Sequence, residues 1–334
     1  MTLRAPFFYL VLATSAAHHA CNEKADDTVR GGLSAPPDAF VTANGVRLHY
    51  LDWGGTGPEL VLVHGLQDSP HIFDHLAAGL SDDFRVIAYA RRGHGQSDAP
   101  ADPYDNATLV EDLRELLDSL GIAQANLLGW SMGGNEITEF AGKYPDRTIK
   151  LVYLEAGYDW SDVAFWEAFE QIPIASEPDS ASLQSLAAYR AWYQAHFPST
   201  VTWTSGLEAH LRDITRIASD GTVQTIPNET VSEKLLASLA ATGRDYARVR
   251  APALALYSST LLDTDVSDPQ RAHAITTWEQ QMIAPFRRAS IERIRRELPG
   301  VVVSEIPNTT HMSIGLVSEE TVTATIRRFL LESQ

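Results

Sequence analysis

The chain has 334 residues, 44% hydrophobic and 21% charged, which excludes a disordered or fibrous protein and leaves one large α/β domain with an insertion, or two domain-sized units. Asp and Glu outnumber Lys and Arg by 43 to 26, for a formal net charge of −17; nucleic-acid binding is disfavoured, because neutralising phosphates needs clustered cations. The single cysteine, Cys21, excludes an internal disulfide and a Cys-rich zinc site.

Residues 1–20 carry Arg4, an apolar run over 7–13 and the small residues Ser15-Ala16-Ala17. This is the layout of a secretory signal peptide, so the mature chain is expected to start near His18 and to be secreted or periplasmic. Anchoring as a lipoprotein through Cys21 is the weaker alternative, since His18-His19-Ala20 is not a Leu-rich lipobox. Residues 21–37, ending in Pro36-Pro37, read as a flexible linker. No later stretch is long and apolar enough to span a bilayer.

Alternating apolar residues around Asn44-Gly45 predict a hairpin over 38–53. Apolar runs at 60–63, 86–90, 126–129, 151–154, 253–257 and 301–303 read as buried strands. A helix is expected over 109–120, with Thr108 and Glu111 as its capping box and Gly121 just beyond its end. A second is expected over 132–143, stopped by Tyr144-Pro145. Strands alternating with helices imply a buried parallel sheet. The alternation fails over 158–248, which is helical in pattern and rich in aromatics such as Trp160, Trp166 and Tyr193. That stretch reads as a helical lid inserted between core segments 38–157 and 249–334, placed to cover a crevice at the carboxyl ends of the strands.

Gly129-Trp130-Ser131-Met132-Gly133 fits G-x-S-x-G. It directly follows an apolar strand and opens a helix, the strand–turn–helix context that a nucleophile elbow needs. A serine on so sharp a turn needs hydrogens in place of side chains two residues away on each side, and the helix N-terminus behind it favours developing negative charge.

Three features together, His64-Gly65 after one strand, Arg92-Gly93-His94-Gly95-Gln96-Ser97 after the next, and this elbow, resemble the α/β-hydrolase superfamily. The likeness runs from about residue 40 to 331. It falls in the serine-nucleophile branch with a helical lid, similar to esterases and lactonases. The resemblance implies a mostly parallel eight-stranded sheet flanked by helices. It also implies an oxyanion hole made by the amides of Leu66 and Met132, with His64 orienting the loop. Serine at the elbow, where haloalkane dehalogenases and epoxide hydrolases carry aspartate, favours acyl transfer to water.

In the order Ser, acid, His, His311 is the expected base. It follows a late strand in a polar loop over 307–311, whereas His196 and His210 fall in the lid and His273 in a long helix. Glu155, which ends the 151–154 strand, resembles the glutamate that dehalogenases carry there and is the expected acid; Asp263 or Asp265 is the alternative. Trp130, Trp160 and Trp166 are expected to line the substrate pocket. The expectation is a hydrolase that cleaves a small-molecule carboxylic ester or lactone through an acyl-enzyme, with no metal or organic cofactor. The alternatives are amide, carbon–carbon or perhydrolytic chemistry at the same site, or a ligand receptor that retains the pocket.

Overall fold

The computed structural model describes residues 36–173, 178–196, 201–266, 268–316 and 319–332. The expected export signal, Cys21 and the linker up to residue 35 lie outside them. Among the described residues no helix is long and apolar enough to cross a membrane.

The framework is an eight-stranded sheet of β1 (Ala39–Ala43), β2 (Val46–Gly54), β3 (Glu59–Val63), β4 (Arg85–Tyr89), β5 (Ala125–Trp130), β6 (Thr148–Leu154), β9 (Ala253–Thr260) and β10 (Val302–Thr310). Their spatial order is β1-β2-β4-β3-β5-β6-β9-β10. β1 and β2 form the expected hairpin, reversing at Asn44-Gly45, where both residues have positive φ, 48° and 74°; a two-residue hairpin turn of this hand requires that. β2 is also antiparallel to β4, and every pairing from β4 across to β10 is parallel. β7 (Thr215–Ile217) and β8 (Val223–Thr225) make a separate small hairpin.

Alternate residues of the central strands feed two cores. Val61, Val63, Ile87, Leu127 and Leu151 face α2 (Asn106–Ser119), α3 (Gly133–Lys143) and α9 (Ala284–Glu297). Leu60, Leu62, Val86, Leu128 and Val152 face α1 (Asp74–Leu80) and α10 (Glu319–Leu331). This two-residue alternation makes the strands apolar throughout and seals the sheet between helical layers.

Between β6 and β9 lie α4 (Val163–Glu170), α5 (Leu186–His196), α6 (Ser205–Asp213), the β7–β8 hairpin and α7 (Glu229–Ala241); α8 (Pro269–Trp278) follows β9 and joins α9 through a π-turn at Glu279–Ile283. β3 has β4 on one side and β5 on the other, so the winding reverses beside it. In open α/β sheets such a switch point opens a crevice at the carboxyl ends of the strands.

Two local expectations are corrected. α2 begins at Asn106, and its cap is Asp105, whose side chain accepts from the Thr108 N–H at 3.0 Å. Thr108 is therefore a donor inside the helix, and Glu111 faces Lys143 and Tyr144 instead of closing a capping box. The polar stretch 307–310, expected as a loop, continues β10 through a register slip between Ile306 and Thr310, with Asn308 at φ 59°. Pairing resumes at Thr310 opposite Thr260, so β9 too runs past its apolar residues.

Candidate active site

Ser131 sits between β5 and α3 with φ 52°, a left-handed conformation that costs a non-glycine residue energy and is kept only where the surroundings impose it. The surroundings are backbone. A β-carbon on Gly129 would lie 2.6 Å from the Gly133 carbonyl, and one on Gly133 would lie 2.3 Å from the Val63 oxygen. Both glycines of the motif are thus required by close approach. The Ser131 N–H donates to the Leu154 carbonyl at 3.2 Å, which fixes the turn against the neighbouring strand. The next residue, Met132, is the N-cap of α3, so its amide precedes the hydrogen-bonded ladder of the helix.

His311 follows β10 directly. Its Nε2 lies 3.0 Å from Ser131 Oγ, and its Nδ1 lies 3.0 Å from Glu155 Oε2. Glu155 is the residue after β6, fully buried, with φ 48°. It also accepts from the Tyr158 hydroxyl, 3.1 Å from each oxygen, and from the Ser258 N–H. Burial would push its carboxyl up; the His311 hydrogen bond and charge, Arg287 and the Ser258 N–H outweigh that and hold it below its ordinary value.

The alternative acids stand elsewhere. Asp263 is half-buried and accepts from the Asp265 N–H, and Asp265 is exposed. Their loop is tied down by Glu279 of the π-turn, which accepts from the Leu262 N–H at 2.7 Å. Of the other histidines, His210 is buried in α6 and His273 is exposed on α8. His196 closes α5.

The three tryptophans divide. The Trp160 ring stands edge-on to His311 at 6.2 Å. Trp130, expected to line the pocket, is buried, and its indole N–H donates to the His311 carbonyl at 3.1 Å. Its ring fills the space that a side chain at Gly315 would occupy, so it braces the histidine loop from behind. The reason is strand alternation: Trp130 points to the face opposite the elbow's own contacts, into the core with Phe73. Trp166 is one shell further out, with its indole N–H on the Trp160 carbonyl at 2.8 Å.

Leu66 is half-buried just after β3. The His64 Nδ1 is 2.7 Å from the Gly65 carbonyl, and its Nε2 accepts from the Arg91 N–H at 3.1 Å, so the ring does join the loop to the end of β4. Burial, then Arg91 and His94, hold the His64 ring well below its ordinary pKa, hence neutral.

Two buried groups that no sequence motif marks meet at the loop over 64–69. Asp68 is buried; a β-carbon on Gly65 would meet its Oδ2 at 2.5 Å and Ser131 Cβ at 3.3 Å, so carboxyl and serine flank the same glycine. Burial pushes Asp68 up to about 7 against the pull of Arg91 and the Gly65 N–H. His210, inside the insertion, reaches the core: its Nδ1 is 3.0 Å from Ser69 Oγ, and its Nε2 is 2.8 Å from the Tyr193 hydroxyl. Burial holds it down to about 3. The Asp-Ser pair in the His64–Ser69 loop was the only available signal for either.

The chain resembles several known proteins. An uncharacterized protein of Mycobacterium tuberculosis (strain H37Rv) is 30% identical over 199 residues, 59% of this chain and 57% of its own length. The chain thus matches little more than half of that relative. A 2-(acetamidomethylene)succinate hydrolase of Mesorhizobium japonicum is 26% identical over 276 residues, 83% of this chain and 89% of that one. Among solved structures, an E-2-(acetamidomethylene)succinate hydrolase superposes with a TM-score of 0.69 over 88% of this chain and 98% of its own, at 20% identity, a likeness of fold. The family described as alpha/beta hydrolase fold matches residues 58–280. With its switch-point sheet topology, its serine on a strand-to-helix turn and this match, the chain belongs to the alpha/beta hydrolase fold family.

Proposed function

We propose that the protein is a serine hydrolase of small-molecule carboxylic esters or lactones. The observation that carries this reading is the hydrogen-bonded line Ser131–His311–Glu155, with 3.0 Å at each step. Ser131 Oγ attacks the acyl carbonyl while its proton passes to His311 Nε2. Glu155 accepts from Nδ1–H, which fixes the tautomer with Nε2 free and stabilises the imidazolium that forms. The amides of Leu66 and Met132 receive the oxyanion, each donor contributing about 3 kcal/mol in the transition state. Collapse expels the alcohol, which takes the proton from His311. Water, deprotonated by the same nitrogen, then releases the acid and restores Ser131.

The insertion between β6 and β9 is the lid of this site in our reading. Support comes from its two contacts with the site: Trp160 at the histidine ring, and His210 bonded to Ser69 three residues beyond Leu66. We also read the first seventeen residues as an export signal, on their charged, apolar and small-residue sequence; N-terminal sequencing of protein from its native host checks it, and an intact Met1 on cytosolic material refutes it.

The deciding experiment is a turnover screen over p-nitrophenyl esters, lactones and amides, with Ser131→Ala as control. Ester or lactone hydrolysis that falls by about 10³ or more in the variant is expected. Undiminished turnover by folded Ser131→Ala, or activity confined to amides, overturns the reading.

A further inference from the structure

Arg91, just beyond β4, is buried to 1% exposure beside the first turn of α3. One guanidinium nitrogen donates to the His64 carbonyl at 2.7 Å and another to the Gly65 carbonyl at 3.1 Å. Its Nε donates to Glu136 Oε1 at 2.6 Å, and the Tyr89 hydroxyl donates to Glu136 Oε2 at 3.0 Å. The Arg91 N–H occupies His64 Nε2, so the ring proton lies on Nδ1 and is directed at the Gly65 oxygen. The Gly65 carbonyl is therefore held by two donors, one charged.

That carbonyl belongs to the same peptide unit as the Leu66 N–H. A trans peptide is planar, with C=O and N–H pointing in opposite directions. Fixing the oxygen against Arg91 turns the N–H away from the buried pair. The other end of the pair, Glu136, lies on α3, the helix that carries the Met132 amide at its start. One charged pair thus spans the two backbone segments that bear the oxyanion donors.

Stability alone does not account for it. Burying two full charges is costly, and an apolar pair of similar volume often serves folding as well. A guanidinium has a property that no apolar residue or lysine shares: a rigid fork that meets two carbonyls and a carboxylate at once. We propose that Arg91 is a positioning residue of the oxyanion hole, holding the Gly65–Leu66 peptide plane so that the Leu66 N–H faces the tetrahedral intermediate formed on Ser131. This rests on the serine-hydrolase reading above.

The test compares Arg91→Met and Arg91→Lys with wild type and Ser131→Ala. The readouts are kcat and KM for a short-chain p-nitrophenyl ester, inhibition by an aryl trifluoromethyl ketone, and circular dichroism. The ketone adds to the serine to give an oxyanion, so it reports the hole, whereas KM reports binding of the uncharged ester. Arg91→Met is expected to lose about tenfold or more in kcat, with KM within about threefold and ketone affinity weakened by a factor similar to that in kcat. Arg91→Lys, able to hold one carbonyl, should fall between.

The proposal is overturned if folded Arg91→Met keeps kcat within about twofold of wild type. Ketone affinity that stays constant while kcat falls, or a loss carried by KM alone, also overturns it. Should Arg91→Met not fold, Arg91→Lys is judged by the same criteria; failure of both to fold would make the pair structural and refute the proposal. Wild-type turnover by Ser131→Ala would instead bring down the serine-hydrolase reading, and this inference with it.

Discussion

The carboxyl edge of the sheet and the insertion that leans on it hold their polar groups in different ways. At the edge the backbone does the holding. Ser131 and Glu155 both take positive φ, and each N–H donates to a carbonyl of the neighbouring strand, of Leu154 at 3.2 Å and of Leu256 at 2.9 Å. In the insertion side chains do it. His210 is placed by Ser69 and Tyr193, and Asp213 at the end of α6 is reached from the core by Gln96 at 3.1 Å. Backbone placement fixes the point from which a side chain extends, whereas groups held only by other side chains can re-pack. Substitutions at the sheet edge should therefore change the chemical step, and substitutions in the insertion should change which substrates are held.

The largest effect that sharpens this contrast is at the acid. Glu155→Gln should lower kcat by about 10² to 10⁴, because an amide presents the wrong partner to Nδ1–H, while Asp263→Asn should stay within about twofold. Steady-state kinetics of the two variants decides it, and the reverse order would move the acid to the loop after β9.

Next is the brace behind the histidine. Trp130→Phe keeps the packing against Phe73 and Gly315 but removes the indole N–H from the His311 carbonyl. One lost buried hydrogen bond costs about 1–3 kcal/mol. A several-fold fall in kcat and a Tm lower by a few degrees are expected. An unchanged kcat would show that the strand alone fixes the histidine.

Tyr193→Phe should behave as an insertion residue. It frees His210 Nε2 at small cost to the chemical step, so KM should shift unequally across an ester series while the best substrate keeps its kcat within about threefold. A uniform kcat loss across the series would break the comparison and place His210 among the groups that serve the reaction.

The smallest effect is in pH dependence. Asp68 and Glu279 are both pushed by burial to about 7. Above the ordinary carboxylate range the unfolded chain has released these protons and the folded chain still holds them. Stability must therefore fall as pH rises toward 7 on their account. His64, His94 and His210, buried neutral and lowered by that burial, act with the opposite sign and lose stability as pH falls below the ordinary histidine range. Asp68→Asn should flatten the decline in Tm between about pH 4 and pH 7 by a few degrees and leave the range below about pH 4 unchanged. Calorimetry across that range measures it, and an identical slope in the variant would show that Asp68 is ionised throughout.

By itself the sequence determined the features written in short-range pattern. Apolar runs located the parallel strands, Asn44-Gly45 located the hairpin, and G-x-S-x-G placed a serine on a turn whose glycines are needed because backbone passes within contact distance. Those are consequences of side-chain period and backbone sterics, which act over a few residues. The tertiary structure decided what depends on residues far apart in the chain. It set the Glu155 carboxylate on His311, 156 positions away, where the sequence left Asp263 open: Glu155 reaches from the end of β6 across β9 to the end of β10, while Glu279 ties the rival loop down. It turned Trp130 inward, shifted the cap of α2 to Asp105, and paired Arg91 with Glu136 across 45 positions. A buried charge must find a partner wherever the fold supplies one, and with 43 acidic side chains in the chain, only the packed backbone selects which carboxylate that is.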